Sequence, residues 1–242
     1  MTSNHIYVKN TNLKFIFYGM GLIKSLLNIL FPPRCVSCRK EGVFVCSDCI
    51  DKLKQRRIHS GFYKSEQEFK YLDGVIYAFD YAMNPAMHDA IHNFKYKYNE
   101  DLKVYFGLFL SKKLSELSMI KDRKIILIPV PLHPKRLNER GFNQAELIAG
   151  EIQKNLCDKV EVLRLLKRSR YTSQQAKLSK KERHLNLEDA FEAADFSADI
   201  NSVYFIVDDV CTTGATLENC AKTLKKSGLK KVYGLTIARA FK

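Results

Sequence analysis

Two groups of residues in this chain have the types and the spacing to do chemistry. The first is the acidic pair Asp208-Asp209, which follows the apolar, β-rich run Val203 to Val207. A loop of small and hydroxylic residues comes next, Cys211-Thr212-Thr213-Gly214-Ala215-Thr216, and helical spacing begins at Leu217 and continues to Leu224. A buried strand, two carboxylates, a small-residue loop and a helix start, in that order, suit a sugar phosphate. Backbone N–H groups of the loop and the positive end of the helix can hold a phosphate. Asp208 and Asp209, one of them outward, can accept hydrogen bonds from vicinal ribose hydroxyls. Gly214 allows a close backbone approach that a side chain would block. The ordinary alternative is a strand–turn–helix with a solvated acidic pair and a helix-capping threonine. The required order of strand, acids and Thr-Thr-Gly-x-Thr favours the phosphate site.

The second group is Cys35-x2-Cys38 and Cys46-x2-Cys49, two thiolate knuckles with seven residues between them. Four thiolates suit a closed, tetrahedral, structural Zn²⁺ site. Two disulfides are the rival arrangement, which an oxidising compartment would require. Phe15 to Ile23 is apolar after Lys14, but Lys24 interrupts the run and no small-residue cleavage site follows, so the expected compartment is the cytoplasm. Cys157, Cys211 and Cys220 have no matching partners, and Cys157 and Cys220 read as helix-packing residues.

The elements that must position these groups form an alternating series. Strands are expected over Gly74–Tyr81, Ile125–Val130, Val160–Leu166, Val203–Val207 and Lys231–Ala238. Helices are expected over Pro85–Lys97, Leu102–Leu117 and Asn143–Leu156, besides the one that opens at Leu217. Such alternation predicts an α/β fold with a largely parallel sheet flanked by helices and ligands at the carboxyl ends of the strands. Upstream, Leu22, Ile23, Leu26, Leu27 and Leu30 share one face of an amphipathic helix, too short an apolar run for a membrane span. Met20 stands just before it, so residues 1–19 read either as a dispensable extension or as the product of an upstream start. The expected organisation is an extension and helix over 1–30, a zinc-ribbon-like module over 31–72 and the α/β domain over 73–242.

Two further loops carry charge at the expected ligand edge. Lys135, Arg136 and Arg140, in the loop after Ile125–Val130, are placed to neutralise a pyrophosphate beside the sugar site. Asn143 is expected to cap the next helix, and His133, between prolines, is as suited to a structural role as to a functional one. The segment from Arg168 to Arg183 is basic, polar and short of apolar anchors, which suits a lid as well as a solvated loop. The 242 residues are 46% apolar, with 40 Lys and Arg against 26 Asp and Glu and a formal charge of +14. That composition can bury a sizeable core and favours polyanionic partners, either small polyphosphates or nucleic acid.

The stretch Val207-Asp208-Asp209-Val210-Cys211-Thr212-Thr213-Gly214-Ala215-Thr216 resembles the phosphoribosyl pyrophosphate (PRPP) loop of type I phosphoribosyltransferases. The resemblance implies that Asp208 and Asp209 bind the ribose hydroxyls and that the loop from Cys211 to Thr216 binds the 5′-phosphate. Pro129-Val130-Pro131-Leu132-His133-Pro134 through Arg140-Gly141-Phe142-Asn143-Gln144 is similar to a signature of the ComF family of competence-associated, phosphoribosyltransferase-like proteins. So is Thr172-x2-Gln175-x2-Leu178 through Arg183-x2-Asn186, ending at Ala190-Phe191, although Gln174 stands where that family commonly has proline. A leading apolar helix and a four-cysteine zinc module complete the likeness, which covers nearly everything from Met20 to Lys242.

The ComF resemblance implies a cytoplasmic role in DNA uptake during natural transformation. The type I resemblance implies Mg²⁺-dependent PRPP binding, in which Asp208, Asp209 and Arg140 would be the catalytic residues. Lys135, Arg136 and Arg140 would stabilise the departing pyrophosphate. Purine-salvage relatives carry an aspartate general base at the position of Thr212, so that base is absent, and no acceptor pocket is evident. Two expectations remain: a PRPP-dependent transferase with an unidentified acceptor, or a non-catalytic protein that senses PRPP or binds single-stranded DNA in the uptake machinery.

Overall fold

The computed structural model describes residues 32, 34, 35, 38–46, 48, 49, 61–64, 69–81, 85–96, 101–169 and 190–240. The expected helix Leu22–Leu30, the basic segment from Arg170 to Arg183 and the motif from Thr172 to Asn186 lie outside the described residues. The chain divides into two compact units, residues 1–51 and 52–242.

The larger unit is a mixed α/β domain whose described elements follow the expected alternation. They are β1 (Gly61–Tyr63), β2 (Val75–Asp80), α1 (Pro85–Tyr96), α2 (Leu102–Ser115), β3 (Lys124–Pro129), α3 (Pro134–Arg140), α4 (Gln144–Leu156) and β4 (Val160–Val162). The remainder are β5 (Leu166–Arg168), β6 (Phe191–Ala193), β7 (Ser202–Cys211), α5 (Ala215–Lys226) and β8 (Tyr233–Arg239). The main sheet has the order β1-β2-β8-β7-β3-β4. Its last five strands are parallel, and β1 joins the edge antiparallel to β2. Central strands buried on both faces should be continuous apolar runs, and Ile125-Ile126-Leu127-Ile128 and Val203-Tyr204-Phe205-Ile206-Val207 are such runs, all buried.

Three differences from the sequence reading have clear causes. The expected strand Val160–Leu166 is broken: β4 stops at Val162, and β5 leaves to pair antiparallel with β6 in a separate two-stranded sheet. Arg164 marks the break, its guanidinium held 2.8 Å from the Glu146 carboxylate on α4. The loop expected after β3 contains a short helix, α3. His133 Nδ1 accepts the Lys135 N–H at its start, and Gly141, with φ of 75°, ends it. The acidic strand does not end at Val207; β7 runs on to Cys211, so Asp208 and Asp209 lie within a strand.

Strand β3 continues through α3 and α4 to β4 on one side, whereas β7 continues through α5 to β8 on the other. Their paths diverge at the carboxyl ends, just past the hydrogen bond from Val130 N to Val207 O at 2.9 Å. Divergence of this kind leaves a crevice in a parallel sheet, and that is where such folds place ligands.

The first turn of α5 is tied to a distant part of the chain. The buried Glu218 carboxylate accepts three consecutive backbone N–H groups, from Lys70, Tyr71 and Leu72, at 2.7, 2.8 and 2.9 Å. Replacing Glu218 with alanine strips three donors of their acceptor in a segment that runs from exposed Lys70 to buried Leu72. The expected loss is roughly 3 kcal/mol of unfolding free energy, read from the urea midpoint at unchanged slope. A wild-type midpoint would show that water satisfies the three N–H groups equally well.

Candidate functional site

A cavity of about 770 Å³ opens at the crevice between β3 and β7. Its walls bring together Asp208 and Asp209 of β7, the loop Cys211 to Thr216 and the Arg136 and Arg140 side chains of α3. The arginines are one helical turn apart, so the short helix sets both on one face. Lys135 of the same helix is exposed and does not line the cavity. Asn143 serves as the cap of α4: its Oδ1 accepts the Ala145 N–H at 3.1 Å and its Nδ2 donates to Val130 O at 3.1 Å.

Gly214 adopts φ of 74°, which an L side chain rarely takes. A Cβ there would also fall 2.3 Å from the Phe69 ring, so both backbone and packing require glycine. Helix α5 begins at once after it with no side-chain cap. Thr213 Oγ1 instead accepts the Ala215 N–H at 3.4 Å, Thr212 is exposed and Thr216 is half-buried. The positive end of a twelve-residue helix is thereby presented to the cavity at Gly214, Ala215 and Thr216. Beneath the loop, the Arg239 guanidinium lies 3.6 Å from the Tyr63 ring centroid and 5.6 Å from that of Phe69, and donates to Cys211 Sγ at 3.7 Å.

Because side chains alternate along a strand, the two acids face different neighbours. Asp208 takes the same side as Tyr204 and Ile206, which pack with Leu217 and Cys220 of α5. Asp209 turns the other way and meets α1, where Lys95 Nζ lies 2.7 Å from its Oδ1. Burial, and then the Asp209 charge, push the Asp208 carboxyl up to about 7; the Lys95 charge and the hydrogen bond from Asp209 N offset this only in part. Burial alone would lower the Lys95 ammonium's pKa, but the charge and hydrogen bond of Asp209 together outweigh it and raise it. Two adjacent carboxylates have thus been made chemically unequal.

Lys95 is a site cation that the sequence does not single out, whereas Arg168 is expected at the ligand edge only as the start of a basic segment. Lys95 sits on an ordinary-looking helix, and only its tertiary pairing with Asp209 singles it out. The structure sets Arg168 in β5, at the cavity wall and 5.3 Å from the Phe191 ring centroid. Burial, then the Arg136 charge, lower its pKa. The described ionic lining is four cations, Lys95, Arg136, Arg140 and Arg168, against the carboxylates of Asp208, Asp209 and Glu139.

In the smaller unit the four knuckle cysteines converge. Their Sγ atoms lie within 4.8 Å of one another, with Cys38 and Cys46 at 3.5 Å. Four sulfurs at about 2.3 Å from a shared tetrahedral ion would be about 3.8 Å apart, so the cluster could hold Zn²⁺. The first knuckle is shaped by Arg39 N donating to Cys35 O and Cys35 N to Lys40 O, with Arg39 at φ of 66°. Cys46 N points to Cys35 Sγ at 3.5 Å, the kind of donor that stabilises a thiolate. No helix among the described residues is long and apolar enough to cross a membrane.

Comparison with known proteins finds Competence protein F of Haemophilus influenzae, 37% identical over 118 residues, 47% of this chain and 50% of that protein. Competence protein ComFC of Bacillus subtilis is 31% identical over 161 residues, 66% of this chain and 62% of that protein. Competence protein ComFC of Streptococcus pneumoniae is 31% identical over 213 residues, 83% of this chain and 90% of that protein. The matched region is thus half of the first relative, under two thirds of the second and nine tenths of the third. No protein-family model matches the chain.

Two outcomes follow from the site's chemistry. Purified protein is expected to contain about one zinc per chain, and Cys46→Ser should release it and lower soluble yield. Metal analysis without zinc, alongside two disulfides by mass spectrometry, would remove the metal site. Asp208 binds its proton more tightly in the folded chain, at about 7 against 3.8 for the free group. Between those values the native state holds a proton that the unfolded state has lost, so this residue's contribution to stability falls as pH rises and levels off above about 7. Asp208→Asn should therefore gain on wild type in urea titrations between pH 5 and pH 8, and parallel midpoints across that range would contradict the assigned shift.

Proposed function

The chain belongs to the ComF family, and on that footing we propose that it binds PRPP with Mg²⁺ and acts in DNA uptake during natural transformation. The observation that carries the ligand reading is the single cavity where loop, acidic pair and arginines meet. The backbone of Thr212 to Thr216 and the start of α5 would hold the 5′-phosphate. Asp208 and Asp209 would accept the ribose hydroxyls, and Arg136 and Arg140 would take the pyrophosphate through their planar donors. Lys135 would act from the rim, through solvent. Two carboxylates offer the hard oxygen donors that Mg²⁺ prefers. When bound with PRPP, the metal would supply charge neutralisation.

As a transferase, the chain would use Arg140, Arg136 and the helix dipole to stabilise charge on the departing pyrophosphate, with the acids orienting the sugar. Thr212 offers no general base, and that favours the second reading: a non-catalytic protein of the cytoplasmic uptake machinery that senses PRPP or binds single-stranded DNA. The formal charge of +14 supports it as well. Zn²⁺ in the four-cysteine module would be structural in either case.

One set of titrations separates the readings. Calorimetry is expected to show Mg²⁺-dependent PRPP binding that disappears in Asp208→Asn/Asp209→Asn. Thr213→Ala or Thr216→Ala should weaken it about ten- to a hundredfold, the equivalent of one charge-assisted hydrogen bond at roughly 1.5–3 kcal/mol. Single-strand affinity, if present, should fall steeply with salt. Charge removal at Arg170, Lys180 and Lys181 should flatten that salt slope and cripple transformation while PRPP binding survives. Arg168 belongs to the cavity wall and is left intact in that variant. Unchanged PRPP affinity in the double aspartate variant would end the ligand reading. Pyrophosphate release from PRPP, with no single-strand affinity at moderate salt, would favour the enzyme.

A further inference from the structure

The ion pair between Lys95 and Asp209 has a consequence for what the acidic pair can accept. Among the described residues Asp209 is one of the most buried charged groups, its side chain 9% exposed, and Lys95 Nζ is 2.7 Å from Oδ1. An ammonium at that distance is a full positive charge hydrogen-bonded to a carboxylate away from bulk water, where screening is weak. Lys95 also feels the Asp208 charge favourably and that of Arg140 unfavourably, so its ammonium is within electrostatic reach of both acids and of α3. The described lining already holds one more cation than carboxylates.

A bare divalent cation entering this site would have to displace Lys95 from Asp209 or approach it across a few ångströms. Arg140, Arg136 and Arg168 bound the same cavity, so like charge opposes the ion on several sides. A ligand that carries several negative charges reverses the balance. Phosphoryl oxygens can satisfy the arginines, the cavity becomes net anionic, and a metal that coordinates those oxygens is then attracted. Lys95 keeps a donor on Asp209 and has two more to offer the incoming anion.

We propose that Lys95 determines the specificity of the acidic pair. As the built-in counter-ion of Asp209 it excludes free divalent metal and reserves the site for a polyanionic, sugar-polyphosphate-type ligand that brings its own metal. The ligand half rests on the PRPP reading above; the exclusion half rests on the ion pair alone. Removing the ammonium while keeping an unbranched chain, Lys95→Met, leaves Asp209 without its ion-pair partner and the lining's three arginines matched by three carboxylates, and should create a metal site where the wild type has none. Lys95→Arg restores the charge and should exclude metal again.

The test uses the zinc-loaded, full-length protein with Mn²⁺ as the probe, its free concentration followed by electron paramagnetic resonance in the absence of PRPP. Wild type and Lys95→Arg should take up Mn²⁺ at least tenfold more weakly than Lys95→Met, and adding Asp209→Asn to Lys95→Met should abolish the gain. Should Lys95→Met prove insoluble, Lys95→Gln serves the same comparison, with the wild-type fold checked by circular dichroism. Equal Mn²⁺ affinity in wild type and the neutral variants, or a gain that survives Asp209→Asn, overturns the inference. A parallel PRPP titration keeps the two ideas apart. Mn²⁺ gain in Lys95→Met with no PRPP binding by wild type would retain the exclusion role and refute the ligand class. PRPP binding with no difference in Mn²⁺ uptake would do the reverse.

Discussion

The geometry of the site depends on one buried carboxylate. Glu218 lies in the first turn of α5, where an acid would ordinarily stay in water and favour the positive helix end. Here it accepts three successive N–H groups from a segment 146 to 148 residues earlier in the chain. Those donors could satisfy no ordinary turn partner at once, so the carboxylate fixes the path of residues 70–72 and with it the position of Phe69. The Phe69 ring lies so close to Gly214 that no Cβ fits between them, which holds the loop's left-handed glycine in place. Asp73 extends the tie, accepting the Val232 N–H and the Lys225 ammonium at 2.8 Å each. A loop that must present backbone N–H groups needs such outside support, because it has few side chains of its own to pack.

The same economy of means makes two neighbouring aspartates into different groups. Strand alternation sends them to opposite sides of the sheet, one toward α5 and the other toward α1. Asp209 receives an ammonium; Asp208 receives desolvation and the charge of its neighbour. Environments that push paired acids apart are a recurring way for one site to hold a proton-bearing and a charged group side by side. Asp209 is thus already partnered by an ammonium, whereas Asp208, raised to about 7, gives up its proton more readily once a cation arrives.

Much of this was legible in the residues. The apolar runs at 125–128 and 203–207, the helical spacings and the alternation of the two dictated the parallel sheet, and the cysteine knuckles dictated a four-sulfur cluster. Those are local periodicities, and local physics is what a sequence displays. The break between Val162 and Leu166 was hidden because Val160 to Leu166 is a mostly apolar stretch of strand length, although the alternation set by Val160 and Val162 fails at Leu163 and Arg164 pairs instead with Glu146 of α4. Helix α3 was hidden by Pro131 and Pro134, which read as loop punctuation although the second is the first residue of the helix. Lys95, Glu218 and Phe69 carry no local mark at all. Their roles come from partners more than a hundred residues away, which spacing cannot reveal.

Charge distribution bears on how the chain could handle two kinds of polyanion. The described cavity lining is close to balanced, four cations against three carboxylates, while the whole sequence carries +14. Nearly all of the excess must therefore lie outside that lining. A small polyphosphate bound in the cavity would meet a few fixed, partly buried donors, and its affinity should respond weakly to salt. A long nucleic acid would meet the dispersed excess and release condensed counterions, with a steep response. Binding of the two need not compete for the same residues.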